Sequence, residues 1–267
     1  MLRLIKIDFK KYANSRTFWV LLLIYFVLIV AVFFFSEKVL NLFLENAKST
    51  TPVPVPNFSL YSFPHIWQNM AFFGGGFKIL IALIVLIFVT SEFSYKTIRQ
   101  NIMNGMSREE FLLSKVLFSG LLSLSATLVL FFSGLVLGFG HTNEVSISMV
   151  FGKIDFLAAY FLEIFTLSLM AMFVGFLLRQ SGLAIILFAL YYIVLETILA
   201  AILPDEVSIF LPVESMSNLI DFPNSELLKM FNVNFSEVVS VPDVFICSFW
   251  SIFFIGITYL LLRNRDF

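Results

Sequence analysis

The sequence predicts an all-α polytopic membrane protein built as a single domain over residues 1–267. Of its 267 residues, 60% are hydrophobic and only 13% are charged, and the mean hydropathy is +0.96. Several apolar runs are long enough to cross a bilayer. Lysine and arginine are concentrated in alternate connecting segments, as the positive-inside rule requires. Soluble globular domains do not combine these three properties.

Six apolar runs are predicted to be membrane spans. They cover residues 17–35, 72–89, 116–140, 156–178, 183–203 and 244–262. The outer loops between them cover residues 36–71, 141–155 and 204–243. The first run is too long for the apolar part of a signal peptide, and no small-x-small cleavage site precedes Ser36. Three consecutive glycines, Gly74–Gly76, permit irregular or tightly packed backbone at the outer end of the second span.

The distribution of positive charge predicts the orientation. Twelve of the 17 Lys and Arg residues lie in the segments on one side of this arrangement, four lie on the other, and Lys78 falls inside a span. The first side is therefore predicted to be cytoplasmic, with both termini there. We expect the protein in the inner (cytoplasmic) membrane of a bacterium.

Residues 1–16 combine an apolar stripe with a basic one. The basic residues at its start are Arg3, Lys6, Lys10 and Lys11. The pattern predicts an interfacial helix lying on an anionic leaflet. A basic flank that only fixes the orientation of the first span explains it equally well.

The polar stretch from Glu92 to Lys115 is predicted to form a short amphipathic helix, a break and a new helix. Its apolar face consists of Tyr95, Ile98, Ile102 and Met106. Glu92 precedes Lys96 by four residues, a spacing that supports a helix. Asn104-Gly105 is typical of a helix end, and Ser107 followed by Glu110 is a capping box. Its charged residues are expected to face the cytosol as a docking surface.

This stretch resembles the signature of the type-2 ABC transporter permeases. The residues that carry the resemblance are Glu92, Lys96, Thr97, Arg99, Asn104, Gly105, Ser107, Arg108, Phe111 and Lys115. The six-span layout, the basic amphipathic N-terminus and the long last outer loop are also similar to that family, so the resemblance covers essentially the whole chain. A solvated connector that only respects the positive-inside rule is the simpler interpretation of the same stretch.

The resemblance implies a non-enzymatic permease subunit of an exporter. ATP and Mg would bind to separate ABC ATPase subunits, and this chain would bind no cofactor itself. The ATPases would contact the N-terminal helix and the helix after the second span, and a second permease chain, identical or different, would complete the path. The residues implied to transmit ATPase movement are Glu92, Lys96, Thr97, Arg99, Gly105, Ser107, Arg108 and Lys115. Residues 209–220 and 225–239 would fold back into the membrane before the last span. Membrane lipids are expected partners, and nucleic acid is not.

Three ionisable residues fall inside predicted spans: Lys78, Glu163 and Glu196. Each lies roughly 10 Å below the outer end of its own helix, at about 1.5 Å per residue. A charge at that depth costs a few kcal/mol unless it is paired or hydrated. We expect Lys78 to pair with Glu163 or Glu196. Alternatively, the glutamates line the transport path and select a cationic cargo.

Two other functional classes compete with the permease. A secondary transporter or ion channel would need no ATPase and would show discontinuous spans, of which Gly74–Gly76 offers one. An intramembrane enzyme would need clustered catalytic groups, and two acids with one lysine support this poorly. A metal site is not expected, because the histidines His65 and His141 are far apart in sequence and Cys247 is the only cysteine.

Overall fold

A computed structural model describes residues 12–50, 60–103, 105–142, 144–221 and 238–264 of the chain. The described residues form helices and connecting turns, with no β-strand among them. Residues 1–11 of the predicted interfacial helix lie outside these ranges. Arg3, Lys6, Lys10 and Lys11 are among them. Most of the predicted segment 225–239 also lies outside these ranges.

Twelve α-helices follow one another along the described ranges. They are α1 (Arg16–Thr50), α2 (Ile66–Gly75), α3 (Lys78–Ser94), α4 (Thr97–Met103), α5 (Arg108–His141), α6 (Ile147–Phe151), α7 (Asp155–Leu178), α8 (Ser181–Leu190), α9 (Glu196–Ile202), α10 (Asp205–Ser208), α11 (Pro212–Ser217) and α12 (Val241–Arg263). A single π-helical turn, Tyr191–Leu195, joins α8 to α9.

Five helical segments are long and apolar enough to cross a membrane, and a bent pair would make a sixth. The five lie in Arg16–Val39, Arg108–His141, Ile147–Leu178, Ser181–Ile202 and Val241–Arg263. The bent pair consists of α2 and α3, whose axes differ by 49°. Within the described ranges, the predicted all-helical architecture with five or six candidate membrane spans is therefore confirmed.

The first part of the first predicted outer loop is helical, which the prediction did not include. Helix α1 continues to Thr50, which makes 35 residues and a length of about 52 Å. This exceeds the hydrocarbon thickness of about 30 Å, so the helix is longer than a membrane crossing needs. The second predicted span also begins too late, because α2 already starts at Ile66.

Helix α7 lies at the centre of the bundle. Within Ile147–Leu178, 61% of the most apolar stretch is buried, against 33% or less in the other four straight candidate spans. It packs against α3, α5 and α12 in particular. Side chains all round α7 are buried, among them Tyr160, Glu163 and Thr166, because neighbouring helices cover it on several sides.

Long-range contacts show which ends of α1, α5 and α12 lie together. At one end of the bundle, which we call the basic end, Arg108 at the start of α5 donates to the main-chain oxygens of Leu262 and Arg263 at the end of α12. At the opposite end, His141 at the end of α5 lies 2.8 Å from Glu37 in α1. Helices α1 and α12 therefore both run antiparallel to α5, with Arg16 and Arg263 at the same end of the bundle.

Helices α2 and α5 pack through two glycines of α5. The Trp67 indole in α2 stacks on Phe131 and donates to the main-chain oxygen of Val150 at 2.6 Å. A methyl group at Gly134 would lie 2.6 Å from the Trp67 ring, and one at Gly138 would lie 2.4 Å from the Phe63 ring. The absent side chains therefore allow these bulky rings to contact α5 directly.

Gly138→Ala is expected to destabilise the protein by about 1–3 kcal/mol, because the added methyl group would overlap a ring in a packed interface. Thermal unfolding in detergent would measure this. Gly140→Ala is the matched control in the same helix, since a methyl group there meets no atom within 4 Å. Equal unfolding temperatures for the two variants would contradict this packing.

Tyr95→Cys and Ile147→Cys should react with a membrane-impermeant maleimide from opposite sides of the membrane. Both side chains are highly exposed, and they lie at opposite ends of the bundle. The native Cys247 is completely buried, so the unmodified protein is the control and should label weakly. The positive-inside rule predicts labelling of Tyr95→Cys from the cytoplasmic side. Labelling of both variants from one side would disprove the alternating arrangement.

Candidate functional site

Helix α3 carries a buried charge near each of its ends. Lys78 is its first residue and Glu92 lies in its last turn. Fourteen residues separate them, which corresponds to about 21 Å along the helix. Each charge pairs with an opposite charge on a different helix, so α3 is attached to two neighbours at two depths.

Glu92 forms the centre of a buried cluster at the basic end. Its Oε1 accepts hydrogen bonds from Lys115 Nζ in α5 at 2.8 Å and from Tyr12 Oη at 3.0 Å. Lys115 Nζ also donates to Tyr12 Oη at 3.0 Å, which closes a ring of three groups. Thr97 Oγ1 in α4 donates to the second carboxylate oxygen at 2.5 Å. The cluster therefore joins α3, α4, α5 and the segment before α1.

The expected exposure of this stretch to the cytosol is wrong for two of its charges. Glu92 is 1% exposed and Lys115 is 2% exposed, because they neutralise each other beneath α4. Tyr12 lies in the segment 1–16, whose apolar stripe was not expected to bind a charge. The sequence does place a tyrosine hydroxyl about one turn before the first span. Because a buried tyrosine usually needs a hydrogen-bonding partner, this residue could have indicated a polar contact there.

The short helix α4 is real, but it begins later than predicted. Helix α3 ends at Ser94, and Lys96 has a left-handed backbone with φ of 53°. The break places Glu92 and Lys96 on different elements, so the predicted helical pair between them is wrong. Tyr95 also lies outside α4 and is 75% exposed, whereas Ile98 is buried.

The end of α4 and the start of α5 agree with the prediction. Gly105 has φ of +91°, a conformation that favours glycine. Ser107 accepts from the main-chain N–H of Glu110, whose side chain accepts from the main-chain N–H of Ser107. The predicted capping box is thus confirmed. For Arg99 the structure describes only the backbone, so its predicted role stays a prediction.

Lys78 and Glu163 form a second ion pair at the other end of α3. The distance from Lys78 Nζ to Glu163 Oε1 is 2.5 Å, and each side chain is 4% exposed. Lys78 Nζ also donates to Ser217 Oγ in α11 at 3.2 Å. The predicted pairing of Lys78 is confirmed, with Glu163 as the partner. No feature of the sequence pointed to Ser217.

Two of the three consecutive glycines leave room for polar side chains of α7. A methyl group at Gly74 would lie 2.9 Å from Tyr160 Oη, and one at Gly75 would lie 3.2 Å from Glu163 Oε2. Tyr160 Oη is itself 3.2 Å from Tyr25 Oη in α1. The tight packing predicted for the three glycines is therefore present. The irregular backbone is present too, because the helix bends between α2 and α3 immediately after them.

Glu196 has a different partner from the one considered for it. Its Oε1 accepts from the main-chain N–H groups of Val213 and Glu214, the second at 3.0 Å. These are the second and third residues of α11, so the carboxylate caps that helix from α9. Trp250 in α12 donates to the main-chain oxygen of Phe210 at 3.0 Å, which also holds this segment against the bundle.

The two charges of α3 oppose the dipole of their own helix. A positive charge at a helix N-terminus and a negative charge near its C-terminus are each unfavourable by about 0.3–1 kcal/mol. Interactions within α3 therefore do not stabilise these two charges. Their partners on α5 and α7 do, because pairing between helices offsets the cost of burying each charge.

Comparison of the sequence with protein-family models finds no match, and comparison with curated proteins finds none either. The function is therefore argued from the residues and their geometry. Within the described ranges, no group of three His, Cys, Asp or Glu side chains is placed to hold a metal ion.

Lys115→Met should destabilise the protein by about 3–5 kcal/mol, because it leaves the Glu92 carboxylate buried without a cation. The Lys115→Met/Glu92→Gln double variant should recover much of this loss, since no uncompensated charge remains. Detergent-induced unfolding of the purified chain would measure both. Lys96→Met removes an exposed charge nearby and serves as the control. A double variant as unstable as the sum of its single variants would contradict the pairing.

Proposed function

We propose that this chain is the transmembrane permease subunit of an ABC transporter, an exporter driven by separate ATPase subunits. The observation that carries the proposal is the geometry of α4 and its flanks. A seven-residue helix lies between two candidate spans, with turns at Lys96 and Gly105 on either side. Tyr95 and Met103 present exposed apolar side chains there, at 75% and 77% exposure.

The buried cluster beneath α4 supports a mechanical role. Thr97 is the first residue of α4 and binds Glu92, which binds Lys115. A displacement of α4 by a docked ATPase would therefore reach the ends of α3 and α5 through short polar contacts. The buried residues Glu92 and Lys115 and the partly buried Thr97 transmit the movement, while exposed residues such as Lys96 contact the ATPase.

The location of this element favours an ATPase in the cytosol. Lys96, Arg108, Arg179 and Arg263 all lie at the basic end of the bundle, and the positive-inside rule places that end in the cytoplasm. At the opposite end, α11 contacts Glu196 and Lys78, and Phe210 between α10 and α11 accepts from Trp250. This arrangement supports a segment that folds back into the outer leaflet before α12, as the resemblance to type-2 permeases implies.

One observation favours a second candidate, a secondary transporter or ion channel. The bend between α2 and α3 interrupts a candidate span beside the Lys78–Glu163 pair. Substrate sites of secondary transporters occur at such interruptions. Reconstituted chain that moves a solute without any nucleotide would support this candidate against the permease.

The Tyr95→Ala/Met103→Ala variant should lose its ATPase partner. Both side chains are exposed, so the truncation removes docking surface with little effect on folding. We expect vanadate-sensitive ATP hydrolysis that co-purifies with the tagged chain from its host membranes to fall roughly tenfold, as for central interface residues.

Ile147→Ala is the matched control, because Ile147 is equally exposed at the opposite end of the bundle. Hydrolysis should be unchanged in that variant. Unchanged hydrolysis in the Tyr95→Ala/Met103→Ala variant would disprove docking at α4. Purified chain with no associated hydrolysis at all would remove the support for an ATP-driven transporter.

A further inference from the structure

A cavity of about 330 Å³ opens beside the Lys78–Glu163 pair, at the end of the bundle opposite the basic end. Its walls come from the bend between α2 and α3, from α7, from the π-helical turn and from the segment around α11. The residues that line it include Phe72, Phe73, Gly75, Lys78, Glu163 and Tyr192. The cavity thus combines aromatic surface with both members of a buried ion pair.

The ion pair leaves an unused acceptor beside this cavity. Glu163 Oε1 accepts from Lys78, but Glu163 Oε2 is completely buried and has no hydrogen-bonding partner among the described residues. A buried carboxylate oxygen without a donor is costly and is rarely left so. A ligand that donates to Glu163 Oε2 would remove this cost.

The same ion pair also has an unused hydrogen-bond donor on Lys78. An ammonium group carries three N–H donors, and in the described structure Lys78 directs two of them to Glu163 and Ser217. The third is free to bind an anionic group. An acceptor and a donor therefore lie side by side in one cavity.

Charge balance decides what kind of ligand fits. Lys78 and Glu163 together are neutral, so a simple cation or a simple anion would leave a net charge in an apolar surrounding, which is strongly unfavourable. A ligand with both charges keeps the site neutral and satisfies both groups. Its apolar part would contact the rings of Phe72, Phe73 and Tyr192.

We propose that this cavity binds a small zwitterionic group, in which an ammonium contacts Glu163 Oε2 and a neighbouring anion contacts Lys78. A free α-amino acid and the phosphoethanolamine headgroup of a lipid share this chemistry. The site is defined by the permease chain alone, so it depends neither on an ATPase nor on the direction of transport.

The shape of the site depends on Gly75. A methyl group there would lie 3.2 Å from Glu163 Oε2 and 3.3 Å from Oε1, in the space that the ligand ammonium needs. The three atoms nearest to that methyl group all belong to the Glu163 carboxylate, and the substitution removes neither charge of the ion pair. Gly75→Ala therefore fills space beside the carboxylate while both charged side chains remain in the chain.

Binding to the full-length chain in dodecyl maltoside would test the proposal. L-Leucine is the probe, with isocaproate, which lacks the amino group, and isopentylamine, which lacks the carboxylate, as its single-charge counterparts. Dihexanoyl phosphatidylethanolamine is the lipid probe, with dihexanoyl phosphatidylglycerol as its anionic counterpart. Equilibrium binding of each probe gives the affinity directly.

We expect at least one zwitterionic probe to bind roughly tenfold more tightly than its single-charge counterparts, since two charge-assisted contacts replace one. Binding of leucine alone assigns the site to a soluble zwitterion, and binding of the phosphatidylethanolamine alone assigns it to a lipid headgroup. Gly75→Ala should weaken this binding by a similar factor. The control Gly256→Ala, where an added methyl group meets no atom within 4 Å, should not.

Three results would overturn the proposal. The first is no binding of either zwitterion to the unmodified chain. The second is binding of isopentylamine as tight as that of leucine, which would make the site a cation site. The third is unchanged zwitterion binding in Gly75→Ala. If Gly75→Ala fails to fold, Glu163→Gln takes its place, because it keeps the side-chain shape and removes the negative charge. The probe comparison on the unmodified chain decides the outcome even without a variant.

Discussion

The structure depends on the requirement that charges buried in an apolar bundle find opposite charges. Helix α3 meets this requirement twice, through Lys78 with α7 and through Glu92 with α5. Because the two pairs lie about 21 Å apart along one helix, they fix both its position and its rotation. Apolar packing alone would allow a helix in lipid to slide or rotate at lower cost, since lipid tails are as apolar as its neighbours.

The two ion pairs differ in how completely their hydrogen bonds are satisfied. The Glu92–Lys115 pair is closed, since Tyr12 and Thr97 complete its hydrogen bonds. It suits the transfer of movement between elements that must stay together. The Lys78–Glu163 pair is open, because one carboxylate oxygen has no partner in the described structure and a cavity adjoins it. Such a pair suits the reversible binding of a ligand.

The bend between α2 and α3 links these features. Gly74 and Gly75 let Tyr160 and Glu163 approach the backbone of α2, and the helix restarts at Lys78 with a new direction. A straight second span could not present Lys78 to Glu163 while Trp67 and Phe63 contact the glycines of α5. Gly74 and Gly75 are buried against side chains of α7, and irregular backbone at membrane depth is tolerated where protein covers it.

Much of the architecture could be predicted from the sequence. Apolar runs locate the spans, the capping box at Ser107 locates the start of α5, and Gly105 locates the preceding break, because all three depend on residues close together in the chain. The pairing of Lys78 was also predictable, since a lone charge in a span needs a partner at similar depth. The extension of α1 to Thr50 was not, because a polar helix beyond the membrane has no apolar run to mark it.

The sequence by itself determined that the chain is a membrane-embedded helical protein, because hydrophobicity and charge distribution are properties of composition and order. Only the tertiary structure decided which charges are used within the bundle and which face outward. Glu92 and Lys115 lie 23 residues apart in the chain, and Tyr12, Ser217 and the unused oxygen of Glu163 acquire their meaning from neighbours far away in sequence. That information arises only when the helices pack, since partner choice depends on depth and rotation that no local pattern fixes.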